Sequence, residues 1–341
     1  MKRYPGLVRG IVASAGMLAL ILDSQTALSG AADGIDLCVR TVIPALFPFF
    51  VLSIFLTSSI LGTELSFLRP IGWLCGIPKG AETILLTGLM GGYPVGAQCI
   101  SQACASGQLS RSDARRMLGF CSNAGPAFIF GMTGFLFENK SVPIVLWIIH
   151  ILSALMTGII LPGKSDGQIA ATSQNRPGIG QVLHLSLRNT ASVCGWVIIF
   201  RTILAFAQRW FLWLVPEPLQ IFITGVLELT NGYIDLISIE NDSLRFVLAS
   251  VFLGFGGVCV ALQTASVVGA AGLSLKNYFP GKLIQTAISA ILAFFVSGHI
   301  FSNGSKLNPI WLMAVILPVA VSISRVKNGK NSSSIPGPSG V

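Results

Sequence analysis

Charged residues are scarce in this sequence: they make up 10% of the 341 residues, whereas 52% are hydrophobic. A soluble protein carries about 25% charged residues, so the composition excludes an ordinary soluble domain. Uncharged apolar runs follow one another along most of the chain. A run of about 20 such residues crosses a bilayer as a helix, because a helix satisfies its own backbone polar groups. We therefore predict an all-α, polytopic membrane protein whose main partner is the lipid bilayer.

Signatures of catalysis and of metal binding are also missing from the sequence. The seven cysteines occur singly, with no C-x-x-C pair, and the three histidines are far apart. The sequence contains no H-E-x-x-H, no G-x-S-x-G and no phosphate-binding glycine loop. We predict no enzyme activity, no cofactor and no metal site, and the cysteines are expected to act as small buried hydrophobes.

Basic residues outnumber acidic ones, 22 to 13, for a net charge of +9. Lys and Arg collect in the cytoplasmic loops of membrane proteins, and here they do not interleave with aromatic residues on a polar surface. We therefore expect no nucleic-acid partner. The basic, apolar start "MKRYPGLVRGIVASAGMLALIL" predicts a retained helix over residues 7–28, with a cleaved signal peptide as the alternative.

Hydropathy divides the chain into five parts. They are an N-terminal helix and connection (1–36), a first repeat (37–163), a polar loop (164–181), a second repeat (182–324) and a polar tail (325–341). Spans are predicted at 41–62, 117–137, 141–163, 189–208, 283–305 and 307–324. The polar loop, with its turn formers, separates the two repeats.

Residues 83–110 form an uncharged run that is interrupted by "GGYPVGAQCISQ". A straight helix of this length would be about 42 Å long, well over the core thickness of about 30 Å. If the run crossed the membrane, Arg111, Arg115 and Arg116 would lie outside, against the positive-inside rule. We predict a re-entrant hairpin over 83–110, with Glu82 at the surface before it.

An internal similarity points to a second hairpin. Seven of seventeen columns match when residues 91–107 are set over 256–272 without gaps, among them Gln98 with Gln263 and Ser101 with Ser266. We predict two similar repeats, each with a hairpin, the second over 246–275. Paired broken segments in two halves indicate a transporter binding site between them.

The candidate substrate-binding residues are small or neutral hydrogen-bonding residues around the breaks. They are Gly91, Gly92, Tyr93, Pro94, Gly96, Gln98, Ser101, Asn123, Gly125, Pro126, Gly256, Gly257, Gln263 and Ser266. The alternative is that these residues only allow helices to pack closely.

Glu228 is an acidic residue in the apolar stretch "GVLELTNGY" and is a candidate ion or proton site. The alternative places residues 210–243 at the membrane interface, with Glu228 exposed to water.

The stretches "PALFPFFVLS", "GGYPVGAQ", "SNAGPAFIFG" and "FGGVCVALQ" together resemble the sporulation integral membrane proteins of endospore-forming bacteria, in the nucleoside-recognition (Gate) domain group. The resemblance implies a bacterial cytoplasmic-membrane protein with a fold similar to concentrative nucleoside transporters. A nucleoside-like ligand follows by analogy only, and no catalytic role carries over. Arg201, inside a predicted span, departs from this pattern.

Two functions remain as hypotheses. The first is a permease that moves a small polar solute or ion between the two hairpins. The second is a non-transporting scaffold or assembly factor for spore formation, whose partners would be a second copy of the chain or other sporulation membrane proteins. The side of the membrane on which the basic tail lies is left open.

Overall fold

The computed structural model describes residues 5–60, 65–163, 165, 167, 169, 178–269 and 271–301. Within these ranges the chain forms α-helices with short 3-10 and π segments, and it forms no β-strand. The predicted all-α class is confirmed. The predicted span at 307–324, the tail and most of the polar loop lie outside the described residues.

The helices of the first half are short around the predicted hairpin and longer at either side. They are α1 (Pro5–Leu22), α2 (Ser24–Leu37), α3 (Ile43–Ile60), α4 (Arg69–Leu74), α5 (Glu82–Met90), α6 (Val95–Ala105), α7 (Arg111–Met117), α8 (Pro126–Thr133) and α9 (Val142–Ile160), with a π-helical turn, Cys38–Val42, joining α2 to α3.

The second half again combines long and short helices. They are α10 (Ile179–Trp210), α11 (Glu217–Leu227), α12 (Leu229–Asp235), α13 (Asp242–Phe255), α14 (Gly257–Gly269) and α15 (Tyr278–Ile300).

Five stretches within the described residues are long and apolar enough to cross a membrane. They are Ser24–Leu56, Val142–Ile160, Ile179–Trp210, Asp242–Gly269 and Leu275–Ile300. A polytopic membrane protein is thereby supported. The N-terminus differs from the prediction, because the helix expected over 7–28 is divided at Asp23. The Asp23 carboxylate accepts a hydrogen bond from Thr26 N and caps a new helix, α2, so the first candidate span begins at Ser24.

Residues 83–110 form two short helices, α5 and α6, which pack against each other. The glycines Gly88 and Gly96 allow this approach, since a Cβ added at Gly96 would lie 2.9 Å from Gly88 Cα. The chain is broken between the two helices at Gly91–Pro94, where the composition predicts a break. Neither helix, of 9 and 11 residues, is long enough to span a bilayer alone.

Glu82, expected at the surface, is buried at the start of α5. Its carboxylate accepts hydrogen bonds from Arg69 Nη1 and Gly80 N, each at 2.7 Å. A buried carboxylate is stable only with such partners, and Arg69 supplies the opposite charge.

The second helix pair lies elsewhere than predicted. Residues 246–275 contain α13 and α14, which belong to one stretch long enough to span a membrane, Asp242–Gly269, and which both pack against α11 and α12. The pair that resembles α5–α6 is α11–α12, which packs closely where a Cβ on Gly232 would lie 2.6 Å from Gly225 N. Small residues are common at close helix contacts, so an ungapped alignment that rests on a few glycine, serine and glutamine columns does not establish which segments correspond.

The same order of elements occurs in both halves of the chain. A packed pair of short helices (α5–α6, α11–α12) is followed by an interrupted helix (α7 and α8, α13 and α14) and then by a long helix (α9, α15). The preceding long helices also contact corresponding partners, since α3 packs on α8 and α10 packs on α14. This order pairs α6 with α12, whereas the ungapped alignment paired α6 with α14.

Candidate functional site

Four interruptions divide helices that would otherwise be continuous or directly joined. They lie at Gly91–Pro94 between α5 and α6, at 118–125 between α7 and α8, at Glu228 between α11 and α12, and at Gly256 between α13 and α14. Gly92, Gly256 and Gly257 have φ values of 73°, 81° and 86°, which favour glycine. Irregular backbone at membrane depth occurs only where protein or a cavity surrounds it, so these positions mark the interior.

The four interruptions meet in two pairs, one in each half. In the first half, a Cβ added at Gly125 would lie 2.9 Å from Gly92 Cα. In the second half, a Cβ added at Gly257 would lie 3.2 Å from Leu229 N, beside Glu228. The two pairs also touch each other, because a Cβ at Gly256 would lie 2.7 Å from the Tyr93 hydroxyl oxygen. The structure thus brings Gly92 to Gly125, Gly256 to Tyr93, and Gly257 to the break at Glu228.

A fully buried lysine, Lys282 of α15, lies where the first-half breaks meet α15. Its Nζ donates to Tyr93 Oη at 3.1 Å, to Asn123 Oδ1 at 3.3 Å and to Gln285 Oε1 at 2.9 Å. Nζ also lies 5.1 Å from the centre of the Tyr93 ring and 5.9 Å from that of Tyr278. Such distances over an aromatic face stabilise a cation.

Asn123 is the most connected of the predicted residues. Its Oδ1 accepts from Gln285 Nε2 at 2.9 Å as well as from Lys282, and its Nδ2 donates to Phe120 O at 2.7 Å. The neighbouring Ala124 N donates to His150 Nε2 at 3.1 Å. Asn123 thereby ties the α7–α8 break to α15, and His150 of α9 holds the same break from another direction.

Sequence reasoning missed Lys282, Gln285 and His150. The span predicted over 283–305 leaves Lys282 just outside it, whereas α15 begins at Tyr278 and buries this lysine. The spacing of Lys282 and Gln285, three apart and so on one helical face, was the available signal.

Glu228 is buried, with 2% of its surface exposed, so the alternative of a water-exposed side chain is wrong. It caps α12: Oε1 accepts from Thr230 N at 3.0 Å, and Oε2 accepts from Asn231 N at 2.7 Å and Asn231 Nδ2 at 2.8 Å. Arg201 Nη1 donates to Asn231 Oδ1 at 3.3 Å, and Arg201 Nη2 lies 3.6 Å from Asp33 Oδ2. The unexpected arginine of α10 thus has polar partners in α2 and α12.

Gln98 and Ser101 of α6 connect helices instead of lining the breaks. Gln98 exchanges two hydrogen bonds with Asn189 of α10, at 2.7 and 3.0 Å. The Ser101 hydroxyl donates to Val267 O of α14 at 3.3 Å. Both side chains therefore connect α6 to neighbouring helices.

Gln263 and Ser266 of α14 differ from each other. Gln263 is buried, and its Nε2 donates to Cys259 Sγ at 3.4 Å, one turn earlier. Ser266 is exposed, and its hydroxyl donates to Leu262 O of its own helix. The structure brings Gln263 into the interior and leaves Ser266 outside it.

Among the described residues, no group of three or more His, Cys, Asp or Glu side chains is arranged to hold a metal ion. The polar groups at the breaks are hydroxyl, amide, ammonium and carboxylate. Their arrangement supports hydrogen bonding to a polar group at the interior of the bundle.

A comparison with curated proteins shows what the chain is similar to. The chain is 26% identical over 327 residues to the sporulation integral membrane protein YlbJ of Bacillus subtilis (strain 168), across 81% of this chain and 79% of that protein. No family model matches the chain, and no solved structure matches it. With the five candidate spans, this similarity supports a multi-pass membrane protein of a sporulation membrane protein family.

Proposed function

We propose that this chain is a permease of the bacterial cell membrane that binds and moves a small polar solute where the four helix breaks meet. The observation that carries the proposal is the contact of Tyr93, at the first break, with Gly256, at the last. Discontinuous helices that meet between two halves form the binding sites of many secondary transporters. Movement of one helix pair against the other would then expose the solute to either side.

The site residues proposed to contact the solute are Tyr93 and Asn123, with Glu228 and Asn231 on the opposite side of the meeting point. Phenol, amide and carboxylate groups together offer donors and acceptors to a neutral or zwitterionic solute. A nucleoside-like ligand rests on the family resemblance and is an analogy from fold to function.

The proposal is tested by a thermal-unfolding screen of purified full-length protein in detergent. The panel contains nucleosides, small carboxylic acids and amino acids. Binding at about 100 times the Kd stabilises the folded state by about 2.7 kcal/mol, which for a protein of this size corresponds to a rise in Tm of several degrees. Asn123→Ala should abolish the shift, and Gln102→Ala, an exposed residue of α6, should keep it. If no compound of the panel raises the Tm and none is taken up into proteoliposomes, the permease proposal is rejected.

A non-transporting scaffold is the second candidate, and one observation favours it. Lys282, Asn123 and Gln285 satisfy one another by hydrogen bonds, as Gln98 and Asn189 do, which is expected of a purely structural interior. A scaffold predicts that no solute shifts the Tm, and that defects of variants follow the loss of a partner protein from detergent-solubilised complexes.

A further inference from the structure

Lys282 donates all three of its ammonium hydrogens to neutral oxygens. The acceptors are Tyr93 Oη, Asn123 Oδ1 and Gln285 Oε1, at 3.1, 3.3 and 2.9 Å. Two of them belong to breaks in the first half of the chain, and the third is on α15 itself. The geometry is that of a small cation held by one hydroxyl oxygen and two amide oxygens.

No carboxylate forms an ion pair with Lys282 within the described part of the chain. The titratable groups that face it are Tyr93 at the α5–α6 break, Cys121 at the α7–α8 break, His150 on α9 and Tyr278 on α15. None of these groups is a carboxylate. In the described part of the chain, the positive charge is stabilised by three oxygen dipoles and two aromatic faces. Oxygen dipoles at unwound segments also hold monovalent cations in transporters.

We propose that Tyr93 Oη, Asn123 Oδ1 and Gln285 Oε1 form a monovalent-cation site, and that the chain fills this site with its own Lys282 ammonium. The ammonium is a compact point charge with three donors, so it takes the place of a dissociable ion such as Na⁺. It joins the α5–α6 break, the α7–α8 break and α15. The inference goes beyond the proposed function and does not depend on whether the chain moves a solute.

Removal of the ammonium should leave a site that dissolved Na⁺ can enter. Lys282→Ala vacates the space beside the three oxygens, whereas Lys282→Met fills it with an apolar chain of similar length. We expect the Tm of K282A to be about 3 °C or more higher in 300 mM NaCl than in 300 mM choline chloride, since an ion that binds only the folded state stabilises it. K282M should show no difference between the two salts.

Three further measurements make the result decisive. The wild type should unfold at the same temperature in both salts, and so should Lys276→Ala, an exposed lysine just before α15. K282A combined with Asn123→Ala should lose the Na⁺ effect, because one of the three oxygens is gone. The proposal is overturned if the wild type is stabilised by Na⁺, if K282A shows no preference for Na⁺, or if K282A cannot be recovered folded in either salt.

Discussion

Tyr93 and Gly256 are in direct contact, although Tyr93 lies in the break between α5 and α6 and Gly256 lies in the break between α13 and α14. A Cβ at position 256 would lie 2.7 Å from the Tyr93 hydroxyl oxygen. Lys282 donates to the same hydroxyl at 3.1 Å. The tyrosine is thereby fixed between the two halves of the molecule, and its position depends on the absence of a side chain at residue 256.

Gly256→Ala should destabilise the protein for two reasons. Gly256 has φ of 81°, which costs an alanine about 1 kcal/mol or more, and the new methyl group would overlap Tyr93. We expect a loss of about 2–4 kcal/mol in all, seen as a lower Tm in detergent. Gly269→Ala is the matched control, because a Cβ there meets nothing within 4 Å. Equal Tm values for the two variants would contradict the contact.

Gln98 and Asn189 should behave as a coupled pair that links α6 to α10. Each single change to alanine leaves the other amide without its partner and should cost about 1 kcal/mol. The double variant should cost less than the sum, with a coupling energy of about 0.5–1.5 kcal/mol. The measurement is a double-mutant cycle from thermal or denaturant unfolding. Strict additivity would show that the two amides do not depend on each other.

Variants of Gln98 and Asn123 should distinguish a residue that packs helices together from a residue that binds a ligand. Gln98→Ala should leave the affinity for any solute found in the screen within about threefold of the wild type, since the side chain is taken up by Asn189. Asn123→Ala should reduce it by tenfold or more. A tenfold loss of affinity in Gln98→Ala would return this residue to the binding site.

Glu228→Ala should destabilise the α11–α12 pair. The carboxylate satisfies Thr230 N and Asn231 N at the start of α12, and loss of a side-chain cap costs about 0.5–2 kcal/mol. Burial of the unsatisfied amides adds to this cost. Glu228→Asn, which can still cap a helix, should recover part of the loss. Glu240→Ala, on an exposed residue, serves as the control and should change the Tm by less than one degree.

The α5–α6 pair should begin and end on the same side of the membrane. Single cysteines at Lys79 and Ser110, placed in a variant without the seven native cysteines, should react with an impermeant thiol reagent from the same side. The comparison of intact cells with inverted vesicles gives the side. Reaction from opposite sides would show that residues 82–105 cross the bilayer.

Local composition was sufficient to predict the break between α5 and α6. It was insufficient to predict the second pair of short helices, α11 and α12. Two glycines and a proline in an apolar run predict an interruption at Gly91–Pro94 wherever the run lies. Around Glu228 the sequence carries acids between short apolar stretches, which is equally typical of an interfacial segment. The structure buries the Glu228 side chain, and burial of this kind is not encoded by local pattern.

The sequence by itself determined the physical class of this protein. Low charge and long apolar runs leave a polytopic helical membrane protein as the stable solution, because only helices satisfy their backbone within lipid. The tertiary structure alone decided which polar groups meet. Lys282 bonds to Asn123 and Tyr93, which are 159 and 189 residues away, and a helical pattern specifies which residues share a face but not which helix that face contacts.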